Sequence, residues 1–441
     1  MSKSEVKNEQ AVTRAELPVD SKKIRDMLDA FDGARIRTWL KICSGCGLCA
    51  ESCFFYLSGD NDVRFSPAYK VKHTLGEMYR RKGKVDREFL EACYDILWLQ
   101  CTTCKRCSLF CPFGIDIATM ISLARSICFS QGIRETGLVV LSENHRKAGN
   151  HSAVSEEDFI ETCEWMEEET GDEIRGLAIP VDKPNVKYMY TVNPREMVFY
   201  PEELGMAAKI LTVAEESWTM PTSGWDCTNL PMFMGDRDLA GKVVRSVYEK
   251  AADLGAENVL MTECGHAYRS LVFEGPYLAG YADGKPPIKI VHSVELFYEY
   301  IRDGKIKIDP AKKIREPVTY QDPCNISRNG GIWEEGRKLI KYLADDFRDM
   351  TPNREYNHCC GGGGGYIPMG PSYKSLRMAS GRVKAEQIKK TGAKIVITPC
   401  HNCFDQIKDL NEEYELGVEV VSFKELICEM MIIPDKFVPE V

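Results

Sequence analysis

The sequence predicts a multidomain α+β protein in which a mostly helical domain precedes two tandem α/β repeats. Three observations support this fold class. Two cysteine runs with the same spacing lie near the start of the chain, and the apolar residues between them recur at helical intervals. The remaining sequence contains an internal duplication, in which short apolar runs typical of buried strands alternate with helical segments.

The predicted elements divide the chain of 441 residues into five segments. This length is sufficient for two or three domains with separate cores. The segments are a charged tail or docking arm at 1–35, a helical domain at 36–135, an acidic linker at 136–185, a first α/β half at 186–315 and a second α/β half at 316–431.

Helices are predicted where apolar side chains repeat every three or four residues. Pro67–Leu99, between the cysteine runs, shows this spacing, and Ile117–Cys128 shows it after the second run. The acidic run Glu167–Glu169 is typical of a solvated helix, and Pro180 would end the segment that contains it. Each α/β half also contains one long predicted helix, at Gly241–Leu254 and Ser380–Thr391.

The two cysteine runs both follow the pattern C-x2-C-x2-C-x3-C. In two-cluster bacterial ferredoxins, the first three cysteines of such a run hold one [4Fe-4S] cubane and the fourth reaches across to the other cluster. The first predicted cubane is held by Cys43, Cys46, Cys49 and Cys111. The second predicted cubane is held by Cys101, Cys104, Cys107 and Cys53.

Disulfide bonds and zinc sites are the alternatives for so many cysteines. Disulfides are typical of secreted proteins, whereas Met1–Asp20 is polar and charged and lacks the apolar segment of a signal peptide. Zinc sites usually take two close pairs rather than a triplet with a distant fourth ligand. Thirteen of the 19 cysteines fall in metal-binding patterns, which favours iron–sulfur clusters in a reducing, cytoplasmic location.

Charge and hydropathy weigh against two further classes of protein. The net charge of −9 disfavours nucleic-acid binding. No uninterrupted apolar run approaches the roughly eighteen residues of a transmembrane helix. If the protein works at a membrane, we therefore expect a partner subunit to hold it there as a peripheral protein.

The duplication places cysteines directly after predicted strands. Val259–Cys264 in the first half corresponds to Ile395–Cys400 in the second half, at an offset of 136 residues. Loops at the carboxyl ends of parallel strands are where ligands usually bind. The positions of these cysteines therefore indicate a binding site at the strand ends.

Five cysteines of the second half form the arrangement C-x34-CC-x39-C-x2-C. The adjacent pair precedes Gly361–Gly365, and glycines permit positive φ and close approach of the backbone to a bulky group. A phosphate-binding loop is disfavoured because the segment lacks the order GxxxxGK[ST] and does not follow a strand. The spacing therefore indicates a metal site with five thiolates, namely Cys324, Cys359, Cys360, Cys400 and Cys403.

A Cys-Cys-Gly sequence with an upstream cysteine and a downstream CxxC resembles the CCG domain of heterodisulfide reductases. Its fusion to a two-cluster module resembles the HdrD type of subunit. One degenerate and one intact half are similar to DsrK-like subunits of DsrMKJOP complexes, also called Hdr-like menaquinol oxidoreductases. The resemblance implies a ferredoxin-like cluster domain, two CCG-type repeats related by pseudo-twofold symmetry, and a noncubane [4Fe-4S] cluster on the five cysteines of the second half.

The first half departs from the CCG pattern. Asn193 stands near the position of the first cysteine, the cysteine pair becomes Asp226-Cys227, and CxxC becomes Cys264-Gly-His-Ala267. Two thiolates cannot hold the same cluster, so Cys227 and Cys264 are either relics or residues that face the intact site across a cleft. In the second case Cys264, His266 and His401 are candidate catalytic groups, because histidine exchanges protons near neutral pH.

The resemblance implies an oxidoreductase that reduces a disulfide with electrons from menaquinol. Single electrons would pass through the two cubanes to the noncubane site. The implied partners are a membrane cytochrome b subunit (DsrM-like) and the small sulfur carrier DsrC, whose di- or trisulfide is the substrate in sulfite or sulfate reduction. The implied location is the cytoplasmic face of the membrane.

Three alternatives remain open. One is a methanogen-type enzyme that acts on the coenzyme M–coenzyme B heterodisulfide, although its relatives commonly have two intact halves. Another is an electron-relay subunit of a flavin-dependent glycolate, lactate or glycerol-3-phosphate dehydrogenase. The third is a non-enzymatic electron-transfer or scaffold subunit whose five-thiolate site never meets a substrate.

Overall fold

The computed structural model describes residues 18–30 and 33–439. Within them, nine helices form the domain that carries the two cysteine runs. They are α1 Ser21–Ala30, α2 Gly33–Ile42, α3 Leu48–Glu51, α4 Phe54–Ser58, α5 Pro67–Val71, α6 Glu77–Arg80, α7 Arg87–Tyr94, α8 Arg106–Leu109 and α9 Ile117–Ser130. π-helical turns at Lys72–Gly76 and Asp95–Leu99 extend the helices of the predicted segment between the runs.

The described part of the predicted tail packs on this domain. Ile24 and Leu28 lie one helical turn apart on α1 and are buried in the core that also contains Leu90 and Ile121. The backbone N–H of Asp20 donates a hydrogen bond to the side chain of Gln131, at 2.8 Å. Residues 1–17 of the predicted tail lie outside the described residues.

The segment predicted as an acidic linker contains two helices, α10 Thr136–Ala148 and α11 Glu156–Gly171. A capping box between Ser155 and Asp158 begins α11. One face of α11, with Phe159, Cys163 and Met166, is buried against the first α/β half, so the helix is amphipathic rather than solvated on all sides.

The first α/β half contains a parallel sheet in the order β2-β1-β3-β4. Its strands are short and mostly buried, as expected for a sheet covered on both faces. Its elements are β1 Tyr188–Thr191, α12 Pro194–Val198, α13 Glu202–Val213, β2 Trp218–Thr219, α14 Leu230–Met234, α15 Arg237–Asp253, β3 Asn258–Met261, α16 Gly265–Arg269, α17 Gly275–Leu278, β4 Lys289–His292 and α18 Ser293–Arg302.

The second half contains a parallel sheet in the order β5-β6-β7. Val318 of β5 also forms an isolated parallel bridge with Phe347, on the side of β5 away from β6. This bridge occupies the position that β2 occupies beside β1 in the first half. The pseudo-twofold relation between the halves stays a prediction. The elements are β5 Val318–Tyr320, α19 Glu334–Leu343, α20 Lys374–Thr391, β6 Ile395–Ile397, α21 His401–Tyr414, β7 Glu419–Val421 and α22 Phe423–Met430.

The predicted long helices begin earlier in the structure than the apolar periodicity indicates. Asp236 caps α15 by accepting a hydrogen bond from the backbone N–H of Leu239, at 3.1 Å, so the helix begins at Arg237 rather than Gly241. Among residues 18–30 and 33–439, no helix combines the length and the apolar character that crossing a membrane would require.

Candidate metal centres

The first cavity lies between α2, α5 and the loop after α8. Cys46 is exposed and the other three cysteines are partly buried. Gly45 and Gly47 have φ values of +72° and +88°, a left-handed conformation that lets the loop turn at every second residue. The cysteines that line this cavity are Cys43, Cys46, Cys49 and Cys111.

The second cavity is lined by Cys53, which precedes α4, and by Cys101, Cys104 and Cys107. The backbone N–H of Thr103 donates a hydrogen bond to the sulfur of Cys101, at 3.3 Å. Burial raises the pKa of the Cys101 and Cys107 thiols. Such thiols become thiolates when a metal replaces their protons.

Each cavity gathers three cysteines of one run and the last cysteine of the other. The remaining walls of the first cavity are largely apolar, whereas Lys70, Lys105 and Arg106 also line the second, and Ile117 lines both. Four thiols that converge on one cavity are the donor set of a [4Fe-4S] cubane, so the residues present fit that group.

The five cysteines of the second half meet at the carboxyl ends of β5 and β6. Tyr320 and Ile397 are paired in these neighbouring strands, so the loops that follow them lie side by side. The thiol of Cys359 lies close enough to Cys324 and Cys360 for both to act on its pKa. Cys360 and Cys400 likewise lie close enough to Cys403 to raise its pKa, and Cys324 is the one member of the five that is not buried.

The glycine-rich loop passes where side chains do not fit. Gly364 has φ +67°, and a Cβ atom there would lie 2.5 Å from the carbonyl oxygen of Thr102. A Cβ atom on Gly362 would lie 2.9 Å from the carbonyl oxygen of Asn402. The backbone N–H of Gly361 donates to the sulfur of Cys359, at 3.4 Å. These close approaches and the five converging thiols fit a bulky metal–sulfur group at this site.

The second cavity and the five-thiol site are neighbours. The hydroxyl of Thr102 lies 3.5 Å from the sulfur of Cys359, and the thiol of Cys104 lies close enough to Cys359 to raise its own pKa. Metal groups bound by Cys104 and by Cys359 would therefore be separated by little more than these cysteine side chains.

Three arginines connect the second cysteine run to the α/β halves, and of these Arg125 and Arg269 are buried and Arg328 is half-buried. Arg125 donates to the carbonyl oxygens of Cys101, at 2.7 Å, and Gly364, at 3.2 Å. Arg328 donates to the carbonyl oxygen of Cys104, at 2.9 Å. Arg269 donates to the carbonyl oxygen of Thr103, at 2.9 Å. These cations offset the negative charge that thiolate ligands bring into a buried region.

Lys384 is a buried cation that the sequence pattern did not reveal. Its ammonium group donates to the side-chain oxygen of Asn357, at 2.9 Å. Burial lowers its pKa to about 8, while the neighbouring thiols of Cys360 and Cys403 act in the opposite direction. Arg377 is buried seven residues earlier on α20, so helical periodicity offered a signal that Lys384 faces inward.

His266 lies against the glycine-rich loop. Its Nε2 accepts a hydrogen bond from the backbone N–H of Gly364, at 3.0 Å, so its Nδ1 carries the proton. Burial and the charge of Arg269 lower the pKa of His266 to about 3, which keeps the ring neutral. The structure thus places this residue beside the five-thiol site; its catalytic role stays a prediction.

The two cysteines of the degenerate half are fully buried and hydrogen-bonded. Cys227 lies 3.7 Å from the hydroxyl of Thr191, and Cys264 lies 3.6 Å from the side-chain nitrogen of Asn193. A Cβ atom on the next residue, Gly265, would lie 3.3 Å from the sulfur of Cys400. Cys264 therefore lies close to the intact site without exposure to solvent.

His401 belongs to an ion-pair network between the two halves. Its Nε2 lies 2.9 Å from Glu203, and the ammonium of Lys424 lies 2.7 Å from both Glu203 and Glu196. Burial alone would lower the pKa of His401, but the charges of the two glutamates raise it to about 10. Arg195 donates a hydrogen bond to the carbonyl oxygen of His401, at 3.2 Å. Arg195 lies four residues after the end of β1, and Cys324 lies four residues after the end of β5, so the two residues occupy equivalent positions in the two halves.

Another network that the sequence pattern did not reveal involves Asp226, which replaces the first cysteine of the pair. Its carboxylate accepts hydrogen bonds from the backbone N–H of His151, at 2.9 Å, and that of Thr228, at 2.9 Å. The rings of His145 and His151 lie 3.3 and 2.9 Å from the same carboxylate. Burial opposes ionisation, but the two histidines hold the pKa of Asp226 well below its usual range.

Comparison with known families matches both metal-binding regions. Residues 39–115 match the family described as 4Fe-4S dicluster domain, which includes both cysteine runs. Residues 318–408 match the family described as Cysteine-rich domain (CCG), which includes the five cysteines of the second half.

Three relatives illustrate the similarity over longer stretches. The Hdr-like menaquinol oxidoreductase iron-sulfur subunit of Archaeoglobus profundus is 25% identical, over 95% of this chain and 84% of the relative. A Dihydromethanophenazine:CoB--CoM heterodisulfide reductase chain of Methanosarcina barkeri is 23% identical, over 89% of this chain and 94% of the relative. The EtfAB:quinone oxidoreductase of Syntrophomonas wolfei is 22% identical, over 76% of this chain and 47% of the relative.

Both domain matches fall on the cysteines that the structure gathers, and the similarity to the Hdr-like and heterodisulfide reductase relatives extends over most of the chain. The chain therefore contains a 4Fe-4S dicluster domain and a CCG domain, and it is similar over most of its length to iron–sulfur subunits of oxidoreductases of the heterodisulfide reductase type.

Proposed function

We propose that this chain is the catalytic iron–sulfur subunit of a menaquinol:disulfide oxidoreductase. The observation that carries the proposal is the contact between the second cysteine run and the five-thiol site, through Thr102 and Cys104 on one side and Cys359 on the other. This contact supports a continuous route for electrons from the dicluster domain to the CCG domain.

The two cubanes and the noncubane [4Fe-4S] cluster would supply one-electron steps and an iron that binds a substrate sulfur. The residues of the chain then have three roles. Cysteines hold the groups, the buried arginines and Lys384 balance their charge, and burial of Cys359, Cys360, Cys400 and Cys403 excludes water. Reduction of a disulfide consumes two electrons and two protons and yields two thiols, so two single-electron transfers complete one turnover.

The donor in this proposal is menaquinol, oxidised by a membrane cytochrome b subunit (DsrM-like) that holds the chain at the cytoplasmic face of the membrane. The acceptor is the di- or trisulfide of a small sulfur carrier (DsrC-like) in sulfite reduction. The relatives named as menaquinol oxidoreductase subunits support the donor, and the relatives named as heterodisulfide reductases support a disulfide acceptor.

A second candidate function is electron relay to a flavoprotein. The similarity to the EtfAB:quinone oxidoreductase favours it, because that relative contains a comparable stretch within a longer chain.

A third candidate is reduction of the coenzyme M–coenzyme B heterodisulfide, supported by the Methanosarcina relatives. If the chain relays electrons to a flavoprotein, that flavoprotein should copurify with it. If the chain reduces the coenzyme M–coenzyme B heterodisulfide, no DsrC-like carrier should copurify.

Iron analysis combined with EPR of the thiol-oxidised protein tests the proposal. We expect about twelve irons per chain, four for each cluster, and a paramagnetic signal that changes when a disulfide is added. Cys359→Ser should remove about four irons and this signal while both cubanes remain. The control Cys428→Ser changes a thiol that donates to the carbonyl oxygen of Met206, at 3.4 Å, and should retain the full iron content.

Reduced viologen provides the matching activity assay because it needs no protein donor. Wild-type protein should then reduce a disulfide, and Cys359→Ser should not. About eight irons in the wild type, with no effect of disulfide on the EPR spectrum, would contradict the proposal.

A further inference from the structure

The first cavity differs from the other two sites in its access to solvent. Cys46 is exposed, whereas Cys359, Cys360, Cys400 and Cys403 are each at most 5% exposed. The five-thiol site contacts the second cavity, and the second cavity shares Ile117 with the first. The three sites therefore form a series whose outer end reaches the surface at Cys46.

Exposed apolar side chains surround this outer end. Ile42, Leu48 and Phe113 are 39%, 42% and 46% exposed, and Phe113 lines the same cavity as Cys46. We call this surface, together with Lys41 and Lys72, the entry collar. Large apolar side chains grouped around an exposed metal ligand are typical of a protein interaction surface.

The two charged side chains of the entry collar are both cationic, and the exposed Glu51 ends α3 one turn after Leu48. Residues 33–50 contain three cations and no acidic residue, although the whole chain has a net charge of −9. Lys41 and Lys72 are exposed, and within the described ranges neither forms an ion pair. Arg37, by contrast, pairs with Asp29 at 2.9 Å. A partner with acidic residues would complement this surface.

We propose that the entry collar is the docking surface of a protein that carries a one-electron redox group and presents an acidic rim to Lys41 and Lys72. The proposal rests on the proposed function, because it requires that electrons reach the five-thiol site through the two cavities. A redox protein is favoured over an anionic lipid surface, since a lipid headgroup would cover Cys46 without delivering an electron.

Copurification with the redox partner provides the first test. The tagged chain is purified in mild detergent from membranes of its native host, and haem, flavin and iron are measured per chain. For Lys41→Glu/Lys72→Glu we expect the copurified haem or flavin to fall at least about tenfold, with unchanged iron. The matched control Lys242→Glu/Lys285→Glu makes the same charge change at exposed lysines outside the collar and should retain the partner.

Accessibility of the first cubane provides the second test. Dysprosium–EDTA should broaden its EPR signal in the isolated wild-type chain and should have much less effect in the copurified complex. Equal broadening in both preparations, or full retention of the redox partner by the collar variant, would overturn the proposal.

A lipid surface is distinguished by vesicles of phosphatidylglycerol and phosphatidylcholine. Collar-dependent binding of the wild type to these vesicles, with no change in copurified haem or flavin, would assign the collar to a membrane instead and overturn the proposal. A failure of the proposed function gives a different result from a failure of the docking proposal. If only the proposed function is wrong, wild-type protein would not reduce a disulfide with reduced viologen, while the collar variant would still lose its redox partner.

Discussion

The hydroxyl of Thr102 and the sulfur of Cys359 lie 3.5 Å apart, although 257 residues separate them in the sequence. Thr102 stands between two cysteines of the second run, and Cys359 begins the vicinal pair of the second α/β half. The contact joins the dicluster domain to the CCG domain at the point where both would hold iron.

Gly364 is required by the close approach of its loop to Thr102. In Gly364→Ala the new Cβ atom would lie 2.5 Å from the carbonyl oxygen of Thr102, in addition to the cost of a left-handed alanine. The control Gly417→Ala has a similar φ of +62° and no atom within 4 Å of its Cβ, so it should cost only about 1 kcal/mol of unfolding free energy. We expect Gly364→Ala to lose at least twice as much in urea unfolding and to lower the iron content as well, whereas equal costs would contradict the predicted clash.

Cys227 and Cys264 should be dispensable for iron binding, because their thiols already have the protein partners Thr191 and Asn193. Cys227→Ser/Cys264→Ser should therefore retain about twelve irons per chain and the disulfide-dependent EPR signal. Cys360→Ser is the contrasting variant and should lose both. Loss of iron from the double variant would show instead that the degenerate half holds a metal.

The ion pair of His401 with Glu203 should stabilise the interface between the halves in a pH-dependent manner. The pKa of His401 is about 10 in the folded protein, against an ordinary value of 6.5, so the folded state binds the proton more tightly. The stabilisation is fully present below pH 6.5 and is lost as the pH rises towards 10. Thermal unfolding of wild type and His401→Gln should therefore differ most at low pH and converge at high pH; a constant difference would contradict the assignment.

Asp226 should anchor the helical segment before the first half. Removing its carboxylate leaves the buried His145, the half-buried His151 and two backbone N–H groups without their acceptor. Asp226→Ala should cost about 3 kcal/mol of unfolding free energy, as expected when one partner of a buried ion pair is removed. Asp303→Ala breaks an exposed pair with Arg302 and should leave the urea midpoint nearly unchanged. Similar midpoints for the two variants would argue against the anchoring role.

Several elements of the fold could be predicted from local sequence signals. The apolar runs before Cys264 and Cys400 form β3 and β6, and the helix predicted at Ile117–Cys128 is α9, which ends two residues later. Helix starts were less accurate, as at Asp236, because a capping residue lies outside the apolar repeat that predicts a helix. The face of α11 that packs on the first half was also missed, since its acidic residues dominate the local composition.

The sequence by itself predicts the donor sets, and within each cysteine run the spacing reflects the short reach of a chain around a cluster. It also determined the alternation of strands and helices, which follows from periodic burial of apolar side chains. Only the tertiary structure decided which sites touch, which cations balance them, and where the series of sites reaches the surface. Contacts such as Thr102 with Cys359, Arg125 with Gly364 and Lys384 with Asn357 join distant segments, and local periodicity contains no information about how separately folded layers pack together.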